Sequence, residues 1–161
     1  MGTEIERKFL VRSPAWRGKS RREIEIVQGY LSTDADRTIR VRICDDRAVL
    51  TIKGRPQGLV RREFEYEIPV EDARQLLADF CEGQLIEKRR YEVPVDTHLW
   101  EVDVFSGANQ GLVVAEVELS RPDEKVKYPS WIGDEVTGEV RYYNARLVEE
   151  PYRDWDEHPT P

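Results

Sequence analysis

Residues 3–11 read TEIERKFLV. Taken by twos along an extended chain, Glu4, Glu6 and Lys8 project to one side. Ile5, Phe9 and Val11, with Arg7 among them, project to the other. Two acids followed by a base on one strand face admit two readings. The face is either solvated, or it is one wall of a site that needs both signs of charge.

The alternation continues along the chain. TIRVRI (38–43) sets Arg40 and Arg42 against Ile39, Val41 and Ile43. LTIKG (50–54) sets Thr51 and Lys53 against Leu50 and Ile52. REFEYEI (62–68) sets Glu63, Glu65 and Glu67 against Phe64, Tyr66 and Ile68. IEKRRYEV (86–93) sets Lys88 and Arg90 against Glu87, Arg89 and Tyr91. WEVDVF (100–105) and AEVELS (115–120) carry the acid pairs Glu101/Asp103 and Glu116/Glu118. Strands are expected near 3–12, 24–33, 37–45, 47–55, 60–69, 84–95, 98–107 and 112–120, divided by turn-forming stretches such as STDAD, CDDR, GRPQG and SGANQG. VEDARQLLADFC (70–81) reads as a helix with Ala73, Leu76, Leu77 and Phe80 on one face and Glu71 and Asp72 at its start. A second helix is expected within 138–149 on the stripe Val140, Tyr143, Leu147 and Val148. The segment 121–135 reads as loop. The proline- and acid-rich residues 151–161 read as a flexible acidic tail behind a domain over 1–150.

The chain has 161 residues, enough for one domain with a core, and a net charge of −7. That charge argues against nucleic acid and against an anionic membrane surface as partners. No apolar run is long enough to span a membrane. Cys44 and Cys81 lack metal-type spacing, and a reducing cytoplasmic setting follows. Charged residues make up 35% of the chain, against an ordinary share of about a quarter.

Consecutive strands on short connections pair antiparallel, and so many with few helices make a mainly β fold (α+β), a closed barrel or a sandwich. In a sheet with one wet face the charges need no further explanation. Yet they come in same-sign doublets on nearly every strand. Turned inward in a barrel, they must be paired or must bind ions. A lumen with both signs suits a polyanion carried with a divalent metal. Arg and Lys neutralise phosphate oxygens, and carboxylates hold Mg²⁺ or Mn²⁺. The apolar face then points outward and needs helices or a second copy, as in a homodimer, to cover it.

Glu4-Ile5-Glu6-Arg7-Lys8 resembles the ExExK signature of the CYTH superfamily, the triphosphate tunnel metalloenzymes. The resemblance continues in family order through QGYL, RVR, LTIKG, EFEYEI, IEKRRY, EVDVF, EVEL and VRYYN, over nearly the whole chain. ExExK alone is a weak pattern, and the ordered series is far more specific. The resemblance implies a closed antiparallel eight-stranded β-barrel, a tunnel, with a few flanking helices. It implies an enzyme that hydrolyses inorganic triphosphate with Mg²⁺ or Mn²⁺, as many small bacterial members do. Carried over position by position, Glu4, Glu6, Glu116 and Glu118, with Asp103, would hold metal. Lys8, Arg40, Arg42, Lys53, Lys88 and Arg90 would hold phosphates, with Arg141 closing one tunnel end. Lys8, Glu63, Glu65 and Tyr30 would serve the chemistry. An adenylate cyclase, a thiamine or nucleoside triphosphatase acting on an organic triphosphate, and a polyphosphate-binding module are the alternatives on the same frame.

Overall fold

The computed structural model describes residues 2–159. Its strands are β1 (Gly2–Val11), β2 (Arg22–Ser32), β3 (Arg37–Cys44), β4 (Arg47–Gly54), β5 (Val60–Ile68), β6 (Glu82–Val95), β7 (His98–Phe105), β8 (Val113–Glu118) and β9 (Ile132–Glu135). Two α-helices, α1 (Val70–Asp79) and the one-turn α2 (Asn144–Leu147), accompany them. The antiparallel order is β5-β4-β3-β2-β6-β7-β8-β1, and pairing of β1 with β5 closes the barrel. One edge of β1 pairs with β8 over Glu6–Leu10. The other edge pairs with β5 over Gly2–Ile5 and then with β9 at Phe9 and Val11. Tight hairpins set the register. In the β3–β4 turn Asp45 has φ 51, a left-handed conformation that Asp tolerates better than most residues.

The apolar faces point outward and are covered in two places. Over β2, β3 and β4, α1 seats Ala73 and Leu77 against Val41 and Ala48. Burying a side chain such as Leu77 contributes about 1.5–3 kcal/mol. Phe80, expected on the same helical face, lies beyond the last turn and is 65% exposed. Over β1, β7 and β8, Trp16 and Trp131 pack on Phe9, Trp100, Val102 and Val117. Trp16 comes from a 3-10 turn at Pro14–Lys19, with Ser13 accepting from the Ala15 amide at its start.

A third cluster lies inside the barrel. Leu10, Tyr30, Ile86, Phe105 and Val114 meet Tyr142, Leu147, Val148 and Tyr152 of the C-terminal segment. This apolar plug replaces the long helix expected over 138–149. The segment runs as a 3-10 turn (Val140–Tyr142) followed by α2. Val140, placed on the buried stripe by helical spacing, is 58% exposed, while Tyr142 is buried. Tyr152, within the expected tail, is buried in the plug, and His158 stacks on its ring. Gly83 permits this docking. Its φ is +65, and a Cβ there would lie 2.4 Å from Val148 Cγ1.

Candidate active site

Because partners across a ladder share a face, the register alone assembles the inner wall. Glu6 lies opposite Glu118, and Lys8 opposite Glu116. Glu101 lies opposite Glu116, and Arg90 opposite Asp103. Gln28 lies opposite Arg42, and Tyr30 opposite Arg40. Thr51 faces Arg40 on one side and Glu65 on the other, and Lys53 faces Glu63. Arg61 completes the circuit opposite Glu4. Of these side chains all but Gln28, Thr51 and Asp103 line a cavity of about 690 Å³, within the size range of ligand pockets.

Of the residues expected at the site, Glu4, Glu6, Lys8, Tyr30, Arg40, Arg42, Lys53, Glu63, Glu65, Lys88, Arg90, Glu116 and Glu118 border the cavity. Tyr30 does so from the plug. Asp103 and Arg141 are not among its lining. Asp103 is on the inner face beneath the cavity lining, fully buried, with its oxygens taken by Lys88 at 2.6 Å and by Arg90 at 2.8 and 2.9 Å. Its carboxylate, so occupied, positions cations. Arg141 points away, with its guanidinium 4.0 Å above the Trp155 ring. Glu67, the outermost acid of β5, pairs with Arg47 at the surface. His98 contacts Glu124, outside the cavity.

The cations divide by partner. Lys53 pairs with Glu4 at 2.6 Å. Lys8 pairs with Glu116 at 3.4 Å and donates to the Tyr142 carbonyl. Arg90 holds Asp103 and reaches Glu101 at 3.2 Å. Arg40 donates to Thr51, and its buried Nε has no partner. Arg42 donates to Gln28 at 2.6 Å and forms no ion pair among the described residues. Burial, then Arg40 and Arg90, press its pKa down to about 10. Burial also lowers Lys88, to about 7, with Arg90 and Arg42 adding to the effect and Asp103 opposing it.

The acids divide in the same way. Burial would raise Glu4, but Lys53 and its hydrogen bonds hold it at about 2. Glu116 is likewise held at about 2 against burial, by Lys8 and Arg90. Glu6 is raised well above the carboxylate range by burial and by Glu116 and Glu4. Glu63 is raised to about 7 by burial, with Glu4 and Glu65 adding to it against Lys53. Glu6 thus stands among acids and forms no ion pair among the described residues, with Lys53 and Lys8 only partly offsetting its neighbours, an arrangement that a divalent ion would relieve. The donor set is all oxygen, as Mg²⁺ or Mn²⁺ prefers. Among the described residues no three acid, His or Cys side chains already converge in a ligating array.

The CYTH domain profile matches residues 2–152, the whole span that builds this wall. The chain belongs to the CYTH family. An inorganic triphosphatase of Acetivibrio thermocellus is 45% identical over 157 residues, spanning 98% of this chain and 100% of its own. An inorganic triphosphatase of Nitrosomonas europaea is 37% identical over 150 residues, spanning 91% and 97%. The crystal structure of an inorganic triphosphatase superposes with a TM-score of 0.64 at 34% identity, covering 90% of this chain and 97% of that one.

Several residues of this CYTH cavity escaped a reading by charge. Gln28 is fully buried on the inner face of β2, and Asn144 reaches it from α2. Neither bears a charge or a familiar spacing. Arg61 was legible by parity, since it stands two residues before Glu63 on the same face.

Proposed function

We propose that the protein hydrolyses inorganic triphosphate to pyrophosphate and phosphate in this cavity, with a divalent cation. The observation that carries the reading is the convergence of Lys8, Arg40, Arg42, Lys53, Lys88 and Arg90 on one cavity beside the Glu4–Glu6–Glu116–Glu118 corner. Six cations suit a compact polyanion, and surplus acids beside them suit a cation that arrives with it. The names of the relatives above support the same substrate.

Glu4, Glu6, Glu116 and Glu118 would hold Mg²⁺ or Mn²⁺. Such an ion supplies charge neutralisation and polarisation of phosphate oxygens. The protein's own part is positioning and electrostatics, as phosphoryl transfer requires. Arg40 and Arg42, each with N–H groups not committed to carboxylates, bind phosphate oxygens. Lys8, Lys88 and Arg90, oriented by Glu116 and Asp103, stabilise charge that builds on the leaving pyrophosphate. Glu63 or Glu65 takes a proton from the attacking water, since both border the cavity and neither accepts a hydrogen bond from a cation among the described residues, the Arg40–Glu65 pair being 3.9 Å apart. Free Cys44 and Cys81 agree with a reducing cytoplasm.

The test is phosphate release from inorganic triphosphate, ATP and thiamine triphosphate, with Mg²⁺, with Mn²⁺ and with EDTA. Fastest release from inorganic triphosphate, abolished by EDTA, is the expected result. Cyclic AMP and pyrophosphate formed from ATP, with inorganic triphosphate left intact, would sink the proposal. Tight binding without turnover under either metal would point instead to a polyphosphate-binding module.

A further inference from the structure

Two cavity cations, Arg42 and Lys88, are linked through neutral amides. Lys88 Nζ donates to Asn144 Oδ1 at 2.9 Å. Gln28 Nε2 donates to the same oxygen at 2.7 Å. Arg42 Nε donates to Gln28 Oε1 at 2.6 Å. The chain Lys88–Asn144–Gln28–Arg42 has one consistent polarity. Arginine only donates, which fixes the order from the Arg42 end and leaves Asn144 presenting its oxygen to Lys88. Gln28 must then present its nitrogen to Asn144 and its oxygen to Arg42. Gln28 therefore has to donate and accept at once, which an amide does and a carboxylate cannot. Its complete burial makes both bonds costly to lose.

A neutral partner differs in kind from the carboxylates elsewhere in the wall. Glu4 on Lys53, and Asp103 on both Arg90 and Lys88, fix a cation and also cancel its charge, so that Lys88 has a partner of each kind and Arg42 only the neutral one. An amide fixes direction and leaves the charge free. Arg42 shows the consequence, since burial, then Arg40 and Arg90, depress its pKa, the Asp103 charge only partly offsets them, and no carboxylate is bonded to it among the described residues.

We propose that Gln28 and Asn144 are positioning residues that aim Arg42 and Lys88 at the bound polyphosphate and leave Arg42 without a bonded counter-charge, so that the C-terminal segment carrying Asn144 is part of the active site. The proposal rests on the triphosphate reading above. Asn144 lies outside the barrel strands, and a polar link from it to the tunnel wall is more than is needed to seat an apolar plug.

Two near-isosteric variants test this. Asn144→Asp can still accept from both Lys88 and Gln28 but adds a negative charge. Gln28→Glu loses one link whichever way Asn144 turns, and it pairs ionically with Arg42. Both are compared with wild type by steady-state kinetics, by calorimetric binding of inorganic triphosphate to metal-free protein, and by thermal unfolding. The expected result for Asn144→Asp is a melting temperature at or above wild type together with triphosphate affinity roughly ten-fold or more weaker. Gln28→Glu is expected to raise KM and lower kcat together, with Gln28→Asn failing to rescue because its shorter arm cannot span the link. A purely structural role predicts that activity follows stability, so Asn144→Asp with wild-type KM, kcat and anion affinity overturns the proposal. The functional reading is judged on wild type alone. If wild type binds triphosphate without hydrolysing it, that reading falls and the affinity ratios still decide the relay. If wild type does neither, both fall.

Discussion

The inner faces of β1, β6, β7 and β8 each change material within two residues. On β1 the change is from Lys8 to Leu10, on β6 from Lys88 to Ile86, on β7 from Asp103 to Phe105, and on β8 from Glu116 to Val114. On one side of this level lies a cavity walled by charge. On the other lies a plug sealed by Tyr142, Leu147, Val148 and Tyr152. The same strands and the same parity serve both, so the level at which the side chains change sets the depth of the site. Charges in the plug would have no ligand to pair with. Apolar residues in the cavity would offer a polyphosphate nothing. The two regions therefore contribute oppositely. The plug stabilises the fold, while the cavity places like charges together and recovers that cost when ligand arrives.

The largest effect should come from breaking the cavity at its least compensated acid. Glu6→Gln removes a carboxylate that burial, Glu116 and Glu4 all disfavour. Triphosphatase activity is expected to fall roughly 100-fold or more, as with loss of a preorganised electrostatic group. The metal-free protein should melt higher than wild type. Activity assays and differential scanning fluorimetry in EDTA check both, and retained activity would remove Glu6 from the metal corner.

Asp103 sits where the two regions meet. Asp103→Asn leaves Lys88 and Arg90 buried without their counter-charge, and breaking such a pair costs about 3–5 kcal/mol. Its pH dependence has a definite sign. Arg90 and Lys88 hold the Asp103 carboxyl below its ordinary range against the effect of burial. The folded state therefore releases this proton more readily than the unfolded chain, whose aspartates titrate near about 3.9. The stability it confers is present above that pH and is lost as pH falls through and below it. Urea titrations across the acid range should show a steeper loss in wild type than in Asp103→Asn.

Leu112→Ala probes the plug alone. Leu112 is buried in it, and its carbonyl accepts from the Phe105 amide. The variant should lose about 2–5 kcal/mol in urea unfolding, with kcat/KM per folded molecule unchanged. A fall in kcat/KM without a fall in stability would mean that the plug tunes the cavity rather than merely closing it.

Parity made much of this division legible in advance. Period-two alternation located the eight barrel strands, and the charged side singled out on seven of them proved to be the inner side; β2 is the exception, with Glu23 and Glu25 outside against Arg89 and with Ile24, Ile26 and Gln28 on its inner parity. The ligand-facing ends of the strands could be read because charge at alternate positions is conspicuous. The plug was less conspicuous, because Leu10, Ile86, Phe105 and Val114 resemble any strand apolars. β9 was lost in a stretch of Pro129, Ser130 and Gly133, which reads as loop, and four residues give no periodicity. The stripe Val140, Tyr143, Leu147 and Val148 fits a helix numerically, but docking on the barrel end selects short turns and buries Tyr142 in place of Val140. Asp103 was placed on the correct face. Only the geometry shows that Lys88 and Arg90 saturate it. Gln28 and Asn144 act through hydrogen-bond direction, which neither charge nor spacing encodes.

The smallest expected effect belongs to Arg141, and it marks where the C-terminal segment stops serving the cavity and serves only the plug. The resemblance to the family places this arginine over a tunnel end. Here it stacks on Trp155 at 4.0 Å and on Tyr142 at 5.3 Å from the ring centroids. Trp155 in turn meets Tyr142 and Tyr152 edge-on and donates from Nε1 to the Glu150 carbonyl. Arg141 thus clamps residues 151–158 onto the plug from outside. A cation–π contact at an exposed site contributes about 0.5–1 kcal/mol, so Arg141→Ala should lower the melting temperature slightly and leave KM for triphosphate near wild type. Arg141→Lys should recover part of the stability, since an ammonium still lies over the indole. A large rise in KM in Arg141→Ala at unchanged stability would return this arginine to the cavity. It would also show that the segment swings from the Trp155 ring to the substrate when triphosphate binds. Only two residues separate Arg141 from Asn144, so the two variants together locate the boundary between plug and site within a single turn of chain.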